Sequence, residues 1–297
     1  MNAWAKKHTS SAIISVGDNF YAGNTKYEGA ATSNDPKFKT FWKNVYTGDA
    51  VRKLPWWNVL GNHDWETVGS YANEIKYKDP LWMLPDFFYA KRVVVSAGVY
   101  ATFVFIETDY LVYGEQGENA AMASNFKRQG WSSKAETNKK QLAWIENTIS
   151  KANNDAYIIV VGHHPTYSCA KDVSSDMKDL LDIINKWNVN LYVNGHSHNM
   201  AGYLTRGGKT LHVQAGSGGQ TSKLCDPLDK SYKEGHASKT LGFAHLSLSK
   251  NGGLVDWVSE KGDVVFSMEV GPRTPVKTFA DVEYLTSASD PAVHIVE

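Results

Sequence analysis

The stretch YIIVVGHHP, residues 157–165, decides the fold class of this chain. A short apolar run that ends at a glycine turn is typical of a strand buried on both faces, as in a parallel sheet. The pattern occurs three more times, at residues 12–16 before Gly17-Asp18, 57–60 before Gly61-Asn62 and 191–193 before Asn194-Gly195. The repetition predicts strands whose C-terminal ends carry polar side chains to one edge of a sheet.

Helical patterns lie between these strands. In residues 141–152, Leu142, Ile145 and Ile149 recur at spacings of three and four and therefore share one face of a helix. Residues 177–187 show the same spacing of apolar side chains. Strands that alternate with amphipathic helices predict a layered α/β domain.

The last third of the chain has a different pattern. Residues 210–213, 242–247, 254–258 and 264–270 are strand-like and are separated by turns. We expect them to form a second, antiparallel sheet. Residues 113–137 are polar and contain glycine and serine, so we expect a long surface loop there. No linker is evident, and the chain is interpreted as one domain spanning residues 1–297.

Composition excludes several classes of protein. The 297 residues carry 31 Lys+Arg and 31 Asp+Glu, so there is no net charge to attract a nucleic acid. The longest apolar run is residues 156–161, far shorter than the roughly 20 residues of a membrane-spanning helix. Residues 1–10 lack the apolar core of a signal peptide. Cys169 and Cys225 are compatible with one disulfide bond or with two free thiols.

The turns after the predicted strands carry side chains suited to metal ions. Carboxylate, carboxamide, phenol and imidazole groups bind hard and borderline metals. In Gly195-His196-Ser197-His198, a turn can direct two imidazoles at neighbouring ions. Two ions roughly 3.5–4 Å apart can hold the attacking and leaving oxygens of phosphoryl transfer. Each motif alone is compatible with an ordinary turn or a surface histidine, but their joint occurrence after four strands predicts a binuclear metal site.

The motifs Gly-Asp-x-x-Tyr at Gly17, Gly-Asn-His-Asp at Gly61, Gly-His-His-Pro at Gly162 and Gly-His-x-His at Gly195 resemble the metallophosphoesterase superfamily. The tyrosine three residues after Asp18 makes the chain similar to the purple acid phosphatases, especially the tartrate-resistant type. The resemblance extends roughly from residue 3 to residue 270. It implies a four-layer α/β/β/α sandwich in which two mixed sheets pack face to face.

The resemblance also implies six metal ligands, which are Asp18, Tyr21, Asn62, His163, His196 and His198. Asp18 would bridge two metal ions. Tyr21 and His198 would bind Fe(III), and the remaining three side chains would bind a divalent ion, namely Fe, Zn or Mn. The implied function is hydrolysis of phosphomonoesters, with hydroxide as the nucleophile.

Two further histidines have roles by the same resemblance. His63 would be the general acid that protonates the departing alkoxide, and His164 would lie near the phosphate. An imidazolium is a competent proton donor in mild acid. The resemblance also implies a secreted, lysosomal or vacuolar location and a phosphate-ester substrate, while the oligomeric state stays open.

One part of the family pattern is not found. The family has an Asp-x-Gly loop after its first strand, which supplies a further ligand to Fe(III), but no Asp or Glu precedes Asp18 in this sequence. We therefore expect an N-terminally incomplete domain. Two alternatives stay open. One is another metallophosphoesterase, such as a phosphodiesterase or pyrophosphatase, and the other is a catalytically silent scaffold, such as the glideosome-associated anchor of apicomplexan parasites.

Overall fold

The computed structural model describes residues 1–167, 175–205, 209–222, 224 and 232–276. In these ranges the helices are α1 (Asn2–His8), α2 (Asn62–Trp65), α3 (Ser70–Lys76), α4 (Asp109–Tyr113), α5 (Ala120–Arg128), α6 (Lys134–Lys151) and α7 (Lys178–Lys186), with a π-helical turn at Phe38–Lys43 and a 3₁₀ turn at Gly114–Gln116. The strands are β1 (Ile13–Val16), β2 (Trp56–Val59), β3 (Trp82–Met83), β4 (Tyr89–Ser96), β5 (Val99–Phe105), β6 (Tyr157–Val161), β7 (Leu191–Asn194), β8 (Met200–Thr205), β9 (Leu211–Ala215), β10 (Tyr232–Ser238), β11 (Gly242–Ser249), β12 (Gly252–Ser259) and β13 (Val264–Val270).

The largest sheet has the strand order β10-β8-β9-β7-β6-β5-β4. Strands β5, β6, β7 and β9 run parallel, and β4, β8 and β10 are antiparallel to their neighbours. Strand β6 coincides with the predicted strand, and all of its residues are fully buried. Alternate side chains of β6 enter two different cores, because Ile158 and Val160 pack with α6 and α7 while Ile159 and Val161 pack on the opposite face. Burial on both faces explains the uninterrupted apolar run.

The helical predictions for residues 141–152 and 177–187 are confirmed by α6 and α7. Ile145 and Ile149 of α6 are fully buried, and Leu180 and Ile184 of α7 join them in the same core. Because apolar side chains three and four residues apart share a helix face, these two helices pack on one face of the large sheet at β5, β6 and β7.

Two smaller sheets pack with the other face of the large sheet. One is parallel, with the order β1-β2-β3, and the other is antiparallel, with the order β11-β12-β13. The large sheet and the two small ones contribute side chains to one core. Among the described residues, no strand pairs with the outer edge of β1 or of β11. The layer predicted as one second sheet therefore consists of two three-stranded sheets.

Helix α1 supplies the outermost layer. Ala244 and Leu246 of β11 pack toward the core, whereas Phe243 and His245 alternate with them and contact Trp4 of α1, at ring-centroid distances of 6.3 and 5.7 Å. The order of layers is thus helices, large sheet, small sheets and helix. The predicted α/β/β/α sandwich is confirmed, except that it contains three sheets instead of two.

Two local predictions were wrong. Residues 210–213 belong to β9 of the large sheet, because β8 returns the chain antiparallel and β9 then inserts between β8 and β7. The expected loop at residues 113–137 contains α5, whose buried Met122 and Phe126 lie one turn apart on one face. Met122 and Phe126 alone, in a largely polar stretch, did not give a periodicity strong enough to predict a helix.

None of the helices in the described ranges has the length and apolar composition that crossing a membrane requires. The open question about Cys169 and Cys225 lies outside the described residues.

Candidate metal centre

The four motif loops meet because of how their strands are oriented. Strand β1 is parallel to β2, and β6 is parallel to β7, so each pair of motifs emerges at the same edge of its sheet. Packing of the small parallel sheet with the large sheet then brings the two pairs together. All eight site residues predicted from the sequence lie in this one cluster.

Two glycines let the loops approach closely. A Cβ atom on Gly61 would lie 2.4 Å from the amide nitrogen of Asp18, and one on Gly17 would lie 2.5 Å from Nδ1 of His163. Such distances are far below van der Waals contact. The Gly-Asp and Gly-Asn-His-Asp motifs therefore require glycine in order to bring the predicted ligands within reach of each other.

The backbone at two predicted ligands has a left-handed conformation. Asp18 has a φ of 53° and His196 has a φ of 56°. Residues other than glycine seldom adopt such angles, although Asp, Asn and His do so more often than most. Strained conformations of this kind persist where the surrounding structure holds them, and they are concentrated at functional sites.

Asn62, His163 and His196 form the first half of the site, which we call the Asn62 cluster. Oδ1 of Asn62 lies 3.1 Å from Nε2 of His163 and 3.1 Å from Nδ1 of His196, and the two imidazole nitrogens are 3.2 Å apart. Asn62 and His163 are almost fully buried. The three atoms are thus mutually within 3.1–3.2 Å, close enough to bind a single ion together.

The hydrogen bonds around the Asn62 cluster favour a cation. Nδ1 of His163 lies 2.7 Å from the carbonyl oxygen of Val16, which can only accept, so the neutral ring has its lone pair on Nε2. Nδ2 of Asn62 donates to Glu118 at 2.9 Å, which turns Oδ1 toward that lone pair. With His163 neutral, the lone pairs of these two atoms face each other at 3.1 Å, an arrangement that a cation between them would stabilise. These donors therefore fit a divalent ion.

Asp18, Tyr21 and His198 form the second half, the Tyr21 cluster. The Tyr21 hydroxyl donates to Oδ2 of Asp18 at 2.8 Å and lies 3.0 Å from Nε2 of His198. The other oxygen of Asp18, Oδ1, lies 3.3 Å from Nε2 of His163. One carboxylate therefore contacts both clusters, which is the arrangement expected of a bridging ligand. A carboxylate, a phenol and an imidazole fit Fe(III) once the phenol is deprotonated.

The pKa values within the site reflect burial and charge. Burial acts to raise the pKa of Asp18, but the charges of His163 and His63 and the hydrogen bond from Tyr21 outweigh it and lower the pKa. Burial, followed by the charge of Asp18, raises the pKa of Tyr21 far above that of free tyrosine. Burial and the charge of His163 lower the pKa of His196 to about 3. Imidazole at His196 is thus neutral and ready to bind metal, whereas Tyr21 must lose a proton.

His63 lies at the outer side of the Tyr21 cluster. Its ring centroid is 4.4 Å from that of Tyr21, and Nδ1 lies 3.6 Å from carboxylate oxygens of both Glu28 and Glu66. The backbone amide of His63 donates to Oδ1 of Asp18 at 3.1 Å. The imidazole is half-buried, so it contacts both the metal-binding side chains and the solvent, which suits a group that exchanges protons with bulk water.

His164 lies on the inner side of the site and is fully buried. Ligand-type atoms of His163, His164 and His196 all lie within 4.8 Å of one another. Burial, and then the charges of His196 and His163, lower the pKa of His164 well below the usual value for histidine. His164 is therefore close to the Asn62 cluster as a neutral imidazole.

Sequence reasoning missed the residue that joins the first two motif loops. The carboxylate of Asp64 is fully buried and accepts hydrogen bonds from the backbone amides of Asn19, Phe20 and Gly61 at 2.9–3.1 Å. Burial, and then the charge of Asp18, raise its pKa to about 6. Asp64 is the last residue of the Gly-Asn-His-Asp motif. Its place in the motif, with no role assigned to it, could have indicated that it is functionally important.

The Tyr21 cluster has few hydrogen-bond partners beyond its own members among the described residues. Among the described residues, Asp18 is the only carboxylate that forms a hydrogen bond with Tyr21, and none bonds to His198. Nδ1 of His198 instead lies 2.7 Å from Nε2 of Gln220. The Tyr21 cluster thus offers three side chains, of which Asp18 is shared with the Asn62 cluster.

Comparison with known proteins defines the class. The profile of the family described as "Calcineurin-like phosphoesterase" matches residues 2–200, and the chain belongs to this family. Within the family, the chain is homologous to the tartrate-resistant and purple acid phosphatases. It is 24% identical over 277 residues to tartrate-resistant acid phosphatase type 5 of Mus musculus, covering 89% of this chain and 79% of that protein. It is 28% identical over 250 residues to purple acid phosphatase 7 of Arabidopsis thaliana, covering 78% of this chain and 69% of that protein.

A second relative has a different description. The solved structure "GAP50 the anchor in the inner membrane complex of Plasmodium" has a TM-score of 0.73 and 25% identity, covering 92% of this chain and 82% of that one. The chain is thus similar both to phosphatases and to a protein described as an anchor.

Proposed function

We propose that this protein is an acid phosphatase that hydrolyses phosphomonoesters at a binuclear Fe(III)–M(II) centre. The observation that carries the proposal is the position of Asp18, whose two carboxylate oxygens contact Tyr21 and His163 at 2.8 and 3.3 Å. A carboxylate shared between a phenol-containing cluster and an imidazole-containing cluster suits two unlike metal ions in adjacent positions. When bound, such a pair supplies Lewis acidity toward the phosphate and lowers the pKa of water.

The residues of the chain would divide the remaining work. The Asn62 cluster would hold the divalent ion and the Tyr21 cluster the ferric ion. His63 would donate a proton to the leaving alkoxide, because it is the half-buried imidazole next to the Tyr21 cluster.

A second candidate function is a catalytically silent scaffold. The similarity to the Plasmodium anchor favours it, as does the absence of a second carboxylate bonded to Tyr21 or His198 among the described residues. The two functions differ in a measurable way, since only the phosphatase needs a ferric ion at the Tyr21 cluster.

The experiment that tests the proposed function measures colour, metal content and activity together. Purified protein loaded with iron should show a visible charge-transfer band from the Tyr21 phenolate and should hydrolyse phosphomonoesters. Tyr21→Phe should abolish the band, whereas Tyr27→Phe, which removes a hydroxyl bonded to Asp35, should leave it unchanged. Protein that binds two zinc ions but shows neither colour nor activity with iron would contradict the acid phosphatase proposal.

A further inference from the structure

Thr108 makes three contacts with the Gly-His-His-Pro loop. It follows β5, is fully buried, and places Oγ1 at 3.2 Å from the backbone nitrogen of His163 and at 3.0 Å from that of His164. The same oxygen lies 3.1 Å from Nδ1 of the His164 ring. One hydroxyl thus contacts the backbone of two successive histidines and the side chain of the second.

The number of protons in these contacts determines their direction. A hydroxyl group has one proton and two lone pairs. The two backbone N–H groups can only donate, so they occupy both lone pairs of Oγ1. The hydroxyl proton therefore belongs to the third contact, and Nδ1 of His164 accepts it.

No other group among the described residues competes for Nδ1. The nearest carboxylate oxygen, Oδ1 of Asp109, lies 3.8 Å away, which is too far for a hydrogen bond. A proton on Nδ1 would face a hydroxyl whose lone pairs are already used. In a neutral imidazole with an accepting Nδ1, the proton is carried by Nε2.

We infer that Thr108 is a positioning residue that fixes the tautomer of His164, so that Nε2–H serves as a hydrogen-bond donor to phosphate and cannot act as a metal ligand. The inference rests on the proposed phosphatase function for its substrate. It separates three histidines that proximity alone leaves equivalent. His163 donates from Nδ1 to Val16 and keeps the lone pair of Nε2, whereas His164 accepts at Nδ1 and loses it.

The position of Nε2 agrees with this role. Its nearest partner is the Tyr113 hydroxyl, at 3.4 Å, which is a long contact that leaves the N–H available to a better acceptor. The ring centroid of His164 lies 4.4 Å from that of His196, which places the imidazole beside the Asn62 cluster. The Tyr192 hydroxyl donates to the carbonyl oxygen of His164 at 2.6 Å, which fixes the backbone of the loop.

The decisive test measures the tautomer directly. In the full-length, metal-free protein, imidazole ¹⁵N chemical shifts should show a protonated Nε2 and an unprotonated Nδ1 for His164, whose signals are assigned by their loss in His164→Gln. Thr108→Ser should keep this tautomer, because it keeps the hydroxyl. Thr108→Val should give a mixture of the two tautomers. A wild-type His164 protonated at Nδ1 would overturn the inference, and this result does not depend on any variant folding or on catalytic activity.

Two binding measurements test the consequences. Zinc-loaded His164→Gln should retain both metal ions, and the loss of one would identify His164 as a ligand and overturn the inference. The affinity of the zinc-loaded protein for inorganic phosphate should fall by about 2- to 10-fold in Thr108→Val, as expected for one weakened hydrogen bond. The matched control is Thr210→Val, which removes an equally buried hydroxyl bonded to Val189 at the opposite end of β9. Equal phosphate affinity in Thr108→Val and Thr210→Val would contradict the role of Thr108.

If the protein has no phosphatase activity but His164 is protonated at Nε2, the proposed function fails and the tautomer assignment stands. If the protein is an active phosphatase and His164 is protonated at Nδ1, the inference fails alone.

Discussion

The Asn62 cluster and the Tyr21 cluster are adjacent halves of one site, but they are built differently. Asn62 and His163 are almost fully buried, and Val16 and Glu118 orient their ligand atoms by hydrogen bonds. Tyr21 and His198 are half-buried, and Tyr21 must lose a proton before it can bind a metal. If both clusters bind metal as proposed, the difference teaches that the Asn62 cluster is preorganised for its ion, whereas the Tyr21 cluster must first lose the Tyr21 proton.

The largest expected effect concerns the acid at the edge of the Tyr21 cluster. His63→Ala should lower kcat by about 10²–10⁴-fold, because it removes the general acid, while both metal positions keep their ligands. Steady-state kinetics with a poor leaving group, together with metal analysis, measures the effect. The matched control is His236→Ala, since His236 is an exposed histidine on β10. Loss of metal in His63→Ala would assign His63 to the Tyr21 cluster itself.

The second prediction tests whether the two clusters bind metal independently. His196→Ala should lower the affinity for the divalent ion on the order of 10²-fold or more, since even the loss of a residue that only orients a ligand costs 10–100-fold. The visible iron band should persist in this variant, whereas His198→Ala should lose the band and keep the divalent ion. Metal analysis and absorption spectra of both variants decide the question. If each variant loses both ions, the two clusters form one cooperative site and do not bind metal independently.

The smallest expected effect concerns the pH dependence of stability that is due to a buried histidine with no proposed metal-binding role. His212 on β9 is fully buried, and burial lowers its pKa to about 3, although it is not a proposed ligand. Between pH 6.5 and 3 the unfolded chain binds a proton at this residue that the folded chain does not, so stability falls as the pH falls through this window. From pH 7 to pH 5 the loss should be about 2 kcal/mol, and His212→Leu should remove that part of the pH dependence. Urea unfolding at both pH values measures it, and an unchanged dependence in His212→Leu would contradict the lowered pKa.

The sequence predicted the elements with strong local signals. The apolar runs before Gly17, Gly61, Gly162 and Gly195 are strands, and the motif side chains after them meet at one place. These features could be predicted because a parallel sheet gathers its strand ends at one edge, whatever the details of packing.

Features that depend on contacts between distant residues could not be predicted. Thr108 and His164 are 56 residues apart, and nothing in the local sequence of Thr108 indicates their hydrogen bond. The three amide groups that bond to Asp64 come from two loops that meet only in the folded protein. The placement of β9 likewise depends on its pairing with β7 and β8, and the local periodicity of residues 211–215 does not indicate which strands they pair with.

The left-handed backbone at Asp18 and His196 also limits how this site can evolve. A residue with a branched Cβ, such as Val, Ile or Thr, is strongly disfavoured at these angles, and Gly, Asn, Asp and His are the best tolerated. Single mutations at either position can therefore exchange one oxygen or nitrogen ligand for another, or remove the ligand through glycine, but an apolar branched side chain would require the loop itself to change. If Asp18 binds metal as proposed, a lineage that lost activity through Asp18→Gly or Asp18→Asn would keep the loop conformation and remain one substitution away from regaining the ligand.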